Sequence, residues 1–315
     1  MSDGLSLSGV FPASLTMFDE TGRLDEPASR RHLSALVDAG AHGLVVAGTS
    51  GEFVAMSFDE KRRLVAAAVA AAGGRVPVVA GTGTASTAET IELTRVAADE
   101  GATAALVILP YYMRPHREEV LAHLRAVGAA SPVPVLLYNN PANSGTTELD
   151  AVDVGMLYRE GVVHGVKSTF PTVHQVPEVI DETGPDFAVF YGGFMAPLSG
   201  LAEGAHGWIS GVLNVALAEA LALYDAVRAG DLESARRWAA AIRQYRYLYT
   251  RRPLGPVGDL ALYRTMLELR GQHGGHCRPP LLPLTAEQRA RLEELMTENP
   301  ALRGAAATAG TAAPR

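Results

Sequence analysis

Cysteine is almost absent: Cys277 is the only one in 315 residues. One thiol cannot build a disulfide framework, and a reducing compartment suits such a chain. Long apolar runs are missing too, so no segment reads as a membrane span. The opening Met-Ser-Asp-Gly has neither the basic patch nor the apolar stretch of a secretion signal. Basic residues are the minority, 27 Lys and Arg against 34 Asp and Glu, for a formal charge of −7. That balance argues against nucleic acid or an anionic membrane as the main partner. Arg236, Arg237, Arg243, Arg246, Arg251 and Arg252 do gather, but on sequence with helical spacing, where a solvated or subunit-facing surface accounts for them. A cytoplasmic location is expected.

What is present is apolar and rich in turns: 48% hydrophobic residues and 32 glycines, enough for a sizeable core. Eight short apolar runs recur, over residues 10–16, 43–47, 76–80, 104–109, 133–138, 162–167, 187–191 and 206–210. Segments of helical spacing separate them. Ser57 with Glu60, and Ser86 with Glu89, have capping-box spacing at two helix starts, while Gly40, Gly73 and Gly101 fall at helix ends. Strand and helix thus alternate eight times with short connections, the pattern of parallel βα units. The expected fold is α/β, a (β/α)8 TIM barrel over residues 1–230. A doubly wound sheet is the alternative, but no G-x-G-x-x-G follows the first run. After a last barrel helix at 213–229, helical segments at 231–249, 257–270 and 285–298 predict a C-terminal three-helix appendage over 231–300. A tail without ordered structure is expected over 301–315. Pro177 lies inside the helix predicted after the sixth run, so that helix should start late or kink.

Barrel enzymes carry their chemistry at the carboxyl ends of strands. At those positions stand Ala47-Gly-Thr-Ser-Gly-Glu-Phe53, Pro110-Tyr-Tyr-Met-Arg-Pro115, Tyr138-Asn-Asn-Pro-Ala-Asn-Ser-Gly145 and, closing the sixth run, Lys167. They offer hydroxyls, backbone amides and one amine, with no carboxylate pair and no set of metal ligands. Burial disfavours the charged form of a lysine, and a neutral amine attacks a carbonyl to form a Schiff base. A lysine snorkelling out from a strand end is the plainer reading of Lys167 alone, and a core residue that of Tyr138 alone. Gly81-Thr-Gly-Thr84 reads as capping rather than a phosphate cradle. His273, His276 and Cys277 sit in a Gly-rich joint read as a flexible linker. Tyr111 reads as a packing residue at a subunit contact, and His164 as packing.

The order and spacing of these pieces, over roughly residues 8–300, resemble the N-acetylneuraminate lyase and dihydrodipicolinate synthase family of class I Schiff-base lyases acting on pyruvate and related 2-oxo acids. The resemblance implies that Lys167 forms the Schiff base and that Tyr138 shuttles protons beside it. It implies that Thr49 links Tyr138 to a tyrosine of a neighbouring subunit, here Tyr112. Thr49 and Ser50, with Gly48 in the same Gly-flanked turn, would hold the pyruvate carboxylate on backbone N–H groups. Asn143, Gly192 and Ile209 fall where the family lines the rest of its pocket. No cofactor and no metal are implied. A homotetramer or dimer is.

Departures from the pattern bear on the second substrate. Dihydrodipicolinate synthases carry an arginine where this chain has Asn143, and Pro141-Ala-Asn-Ser-Gly145 instead resembles 4-hydroxy-2-oxoglutarate aldolases and 2-keto-3-deoxy sugar-acid lyases. Gly193-Phe194 is apolar where sialate lyases are acidic, and Ser168 follows the lysine where many members have an acid. Lys61 and Ala85 stand at two polar positions of the bacterial lysine-feedback site. The expected activity is a class I aldolase or lyase with pyruvate as common product or donor and an aldehyde partner. The alternatives are 4-hydroxy-tetrahydrodipicolinate synthase, a 2-keto-3-deoxy sugar-acid dehydratase, and a silent member that senses a 2-oxo acid.

Overall fold

A computed structural model describes residues 7–145 and 148–304. The eight apolar runs become strands β1 (Gly9–Pro12), β2 (Leu44–Val46), β3 (Val78–Gly81), β4 (Ala104–Ile108), β5 (Val135–Asn139), β6 (Gly165–Ser168), β7 (Ala188–Tyr191) and β8 (Gly207–Ser210). Their residues are buried on both faces, which is why the runs are continuous rather than alternating. From β2 to β8 each strand pairs in parallel with the next, and β8 pairs with β1. A bridge from Ala13 to Val45 brings β1 beside β2, and the Ser14 N–H donates to the Val45 carbonyl at 2.9 Å. The result is the (β/α)8 barrel.

Helices α1 (Glu26–Asp38), α2 (Phe58–Ala72), α3 (Thr87–Asp99) and α4 (Arg117–Ala130) follow the first four strands. A single turn, α5 (Pro141–Ser144), precedes α6 (Ala151–Arg159). Then come α7 (Gln175–Thr183), α8 (Pro197–Ala202) and α9 (Leu217–Arg228). The box at Ser57 closes in both directions: its N–H donates to Glu60 Oε2 at 2.9 Å, and the Glu60 N–H donates to Ser57 Oγ at 3.3 Å. At Ser86 only the cap to the Glu89 N–H forms. Helix α7 does start late. Pro177 is its third residue, where a missing N–H loses no helical bond.

Two apolar layers build the core. Inside the barrel Phe11, Val45, Leu106, Leu136, Phe190 and Ile209 fill the bore, with Phe11 edge-on to Phe190 at 5.1 Å. The outer layer, between strands and helices, runs without a break into three further helices, α10 (Leu232–Thr250), α11 (Asp259–Leu269) and α12 (Ala286–Glu298), through Met266, Leu292 and Met296.

Two expectations are corrected. The joint between α11 and α12 is no flexible linker. The His276 N–H donates to the Phe18 carbonyl at 3.0 Å, and Arg278 donates to the carbonyls of Gly22 (2.7 Å) and Ala55 (2.6 Å) and pairs with Glu60. Its glycines let the chain follow a tight path rather than leave it loose. The tail expected from 301 begins with structure: Pro300–Arg303 form a 3₁₀ turn capped by Asn299, with Leu302 buried and its carbonyl accepting from Arg270 at 2.6 Å. Residues 305–315 lie outside the described residues. Among the described residues no helix is long and apolar enough to cross a membrane.

Candidate active site

The β5–β6 register sets Tyr138 directly beside Lys167 near the carboxyl ends of both strands. Both are buried, and Lys167 Nζ lies 3.9 Å from the centre of the Tyr138 ring. The Tyr138 hydroxyl accepts from Asn140 Nδ2 at 2.9 Å and is hydrogen-bonded by Thr49. Burial pushes the Tyr138 pKa up. The Lys167 ammonium and the hydrogen bonds from Asn140, Thr49 and Lys167 outweigh it, leaving the phenol below the ordinary tyrosine range.

Gly192, just after β7, lets the lysine fit. A Cβ there would collide with Thr169 Oγ1 and come within 2.9 Å of Lys167 Cγ. On the far wall, Thr49–Gly51 form a 3₁₀ turn closed by the Gly51 N–H donating to the Gly48 carbonyl at 3.0 Å. The N–H groups of Thr49 and Ser50 open that turn and have no acceptor within it. Ser50 Oγ packs on the α-carbon of Gly211, and the Tyr263 ring approaches the same atom: a Cβ there would be 3.4 Å from Tyr263 Cε2.

The turn is anchored from behind. Glu52, left-handed at φ 58, buries its carboxylate against Arg264 of α11 at 2.6 Å, and its other oxygen accepts from the Arg278 N–H at 2.8 Å. Arg264 completes its fork on the carbonyls of Thr16 and Gly274, each at 2.8 Å. Removing one partner of a buried pair strands a desolvated charge, typically a loss of ~3–5 kcal/mol. Arg264→Met is therefore expected to lower stability by about that much, because the turn loses its anchor. An unchanged denaturation midpoint would contradict this.

These residues meet in a cavity of about 680 Å³. Of the nine site residues expected from sequence, Gly48, Thr49, Ser50, Tyr138, Asn143, Lys167 and Gly192 line it. Ile209 does not: it is fully buried in the bore below, and β8 presents Ser210 and Gly211 to the cavity instead. Tyr112 does not either. It stands 88% exposed at φ 74 in the loop after β4, whereas its neighbour Tyr111 lies edge-on to Phe53 at 6.0 Å. Among the lining residues not anticipated are Tyr249 from the end of α10, and Asp259 and Tyr263 from α11. Phe194, Tyr249 and Tyr263 form a chain of edge-on rings spaced 5.7 and 6.3 Å. A larger cavity, about 800 Å³, opens between α1, α9 and the appendage, but it contains no lysine and no member of the strand-end motifs. The strand-end motifs converge on the smaller one. Among the described residues no three His, Cys, Asp or Glu side chains gather as metal ligands.

Residues 6–299 match the model of the dihydrodipicolinate synthetase family. A 4-hydroxy-tetrahydrodipicolinate synthase of Methanothrix thermoacetophila is 37% identical over 301 residues, covering 94% of this chain and 98% of its own. A protein of the same name from Mycolicibacterium paratuberculosis is 36% identical, covering 90% and 91%. Among solved structures, YagE, an E. coli K12 prophage protein of the dihydrodipicolinic acid synthase family in complex with pyruvate, superposes with a TM-score of 0.86 at 28% identity, over 93% of this chain and 99% of its own. The relatives' name favours the synthase alternative over the sugar-acid aldolase reading that the sequence put first. With its barrel closed and residues 6–299 matched, the chain belongs to the dihydrodipicolinate synthetase family, whose members are pyruvate-dependent lyases and synthases.

Proposed function

We propose that this chain joins pyruvate, held as an imine on Lys167, to an aldehyde, or cleaves the product of that union. One observation carries the reading: the Lys167 amine lies over the Tyr138 ring, with Thr49 on the phenol, in a cavity at the carboxyl ends of the strands. In this scheme the amine adds to the pyruvate ketone and the carbinolamine loses water. The iminium then withdraws electrons as a C3 proton leaves, and the enamine attacks the aldehyde carbon. Tyr138 moves protons on and off the carbinolamine oxygen and nitrogen. The N–H groups of Thr49 and Ser50 receive the pyruvate carboxylate. Tyr112 of the partner subunit completes the proton relay in a homo-oligomer, a role suited to its exposure on a loop with an equally exposed Met113.

The relatives' name supports the synthase reaction, for which the family resemblance implies aspartate semialdehyde as the aldehyde. A second reading, cleavage of 4-hydroxy-2-oxo acids, is favoured by Asn143 and by the absence of any arginine from the cavity lining. Arg114 approaches Gly145 but is not part of the lining. Pyruvate release from 4-hydroxy-2-oxo acids, measured beside a coupled assay with pyruvate and aspartate semialdehyde, separates the two. An arginine holds a carboxylate through paired charge-assisted bonds worth ~1.5–3 kcal/mol, against ~1 for a neutral one. If the synthase reaction is native but weakly anchored, Asn143→Arg should raise kcat/KM for aspartate semialdehyde about tenfold. Efficient wild-type synthesis without gain from Asn143→Arg would mean that Asn143 does not select the acceptor.

A further inference from the structure

The acceptor side of the cavity is built partly by the appendage. Asp259 and Tyr263 are four apart on α11, so they share one face of that helix, and both line the cavity. Asp259 is the only carboxylate in the lining and Lys167 the only lysine or arginine. Among the described residues no lysine or arginine forms an ion pair with Asp259; its carboxylate accepts from the Leu260 N–H at 3.0 Å. Asp259 is exposed to solvent at the cavity, and the protein packed beside its carboxylate raises its pKa. Nearby, the buried Tyr249 hydroxyl meets the Tyr263 phenol, within electrostatic reach of the Asp259 carboxylate. A carboxylate that lines the cavity and holds one backbone hydrogen bond has acceptor capacity left for a ligand.

We infer that the second substrate carries a hydrogen-bond donor, an ammonium or hydroxyl group, remote from its reacting carbonyl, and that Asp259 is the residue that selects it. This rests on the imine chemistry proposed above. A carboxylate attracts a donor-bearing acceptor and repels one whose only polar group is a second carboxylate. Aspartate semialdehyde and succinate semialdehyde differ by one ammonium group, and glyceraldehyde and propanal by two hydroxyls, so each pair isolates the donor.

The experiment measures kcat/KM for condensation of pyruvate with all four aldehydes, using wild type, Asp259→Asn and Asp259→Leu. Asparagine keeps the acceptor for the Leu260 N–H and removes only the charge; leucine removes both. Wild type should favour the donor-bearing member of each pair about tenfold or more. Asp259→Asn should collapse the ammonium preference, and Asp259→Leu both preferences. A merely structural role for Asp259 would lower all four rates together and leave the ratios intact, which overturns the inference. Borohydride trapping of pyruvate on the wild type runs in parallel. Trapping with ratios near one overturns the role of Asp259 alone, whereas no trapping overturns the imine reading and this inference with it.

Discussion

Lys167→Ala is expected to abolish turnover, with a loss greater than the ~10²–10⁴-fold typical of a missing proton-transfer group, because the covalent route itself disappears. Borohydride reduction in the presence of pyruvate should leave a stable adduct on the wild-type protein at Lys167 and none on the variant. The chain supplies its own control. It contains one other lysine, Lys61 in the first turn of α2. Lys61 is also buried, its pKa pushed down by desolvation, and it faces the Phe53 ring at 5.8 Å. Yet it does not line the cavity that holds Tyr138 and Thr49. Burial alone therefore does not mark the reactive amine; the neighbouring phenol and the anion-facing turn do. Peptide mass spectrometry distinguishes the two lysines, and a label on Lys61, or none at all, would end the Schiff-base assignment.

Tyr138→Phe should cost ~10²–10⁴-fold in kcat with the fold intact. The ring stays, so its packing beside Leu106 and Leu136 in the bore and its face toward Lys167 persist. Only the hydroxyl, with its bonds from Asn140 and Thr49, is lost. A phenol below the ordinary tyrosine range gives up its proton more readily than a free one, so the phenylalanine removes a group already biased toward exchange. Circular dichroism and the denaturation midpoint guard against a folding artefact. Near wild-type turnover would make Tyr138 a core residue and pass proton transfer to another group.

Both positions were legible in the sequence because a strand end is a local property, while their roles came only with the family resemblance. An apolar run rich in β-branched residues, cut off by a polar turn, locates the site whatever the barrel does around it, and all eight runs became strands. Residues brought in by tertiary packing were not legible. Asp259 and Tyr263 look like the opening of an ordinary amphipathic helix, and nothing in their spacing says that α11 meets the barrel mouth. Glu52 stood within a quoted motif, but its partner Arg264 lies 212 residues away. The joint around His276 misled because glycine content reports backbone freedom, not whether distant carbonyls such as those of Phe18 and Gly22 tie it down. For Ile209 the resemblance implied a backbone contribution; its side chain serves the bore, while Ser210 and Gly211 reach the cavity.

Gly192 carries a consequence for the energetics of imine formation. An unconstrained lysine side chain holds roughly 2 kcal/mol of rotamer entropy, which it must surrender when its amine is fixed to a substrate. Here the stem is packed against the Gly192 backbone and the amine lies over an aromatic face, so folding has already removed that freedom. On the imine reading the amine is preorganised, and binding energy from the Thr49–Ser50 turn would go to aligning the ketone. A methyl group at residue 192 would then reach beyond sterics: by displacing the lysine it would return that disorder to the ground state.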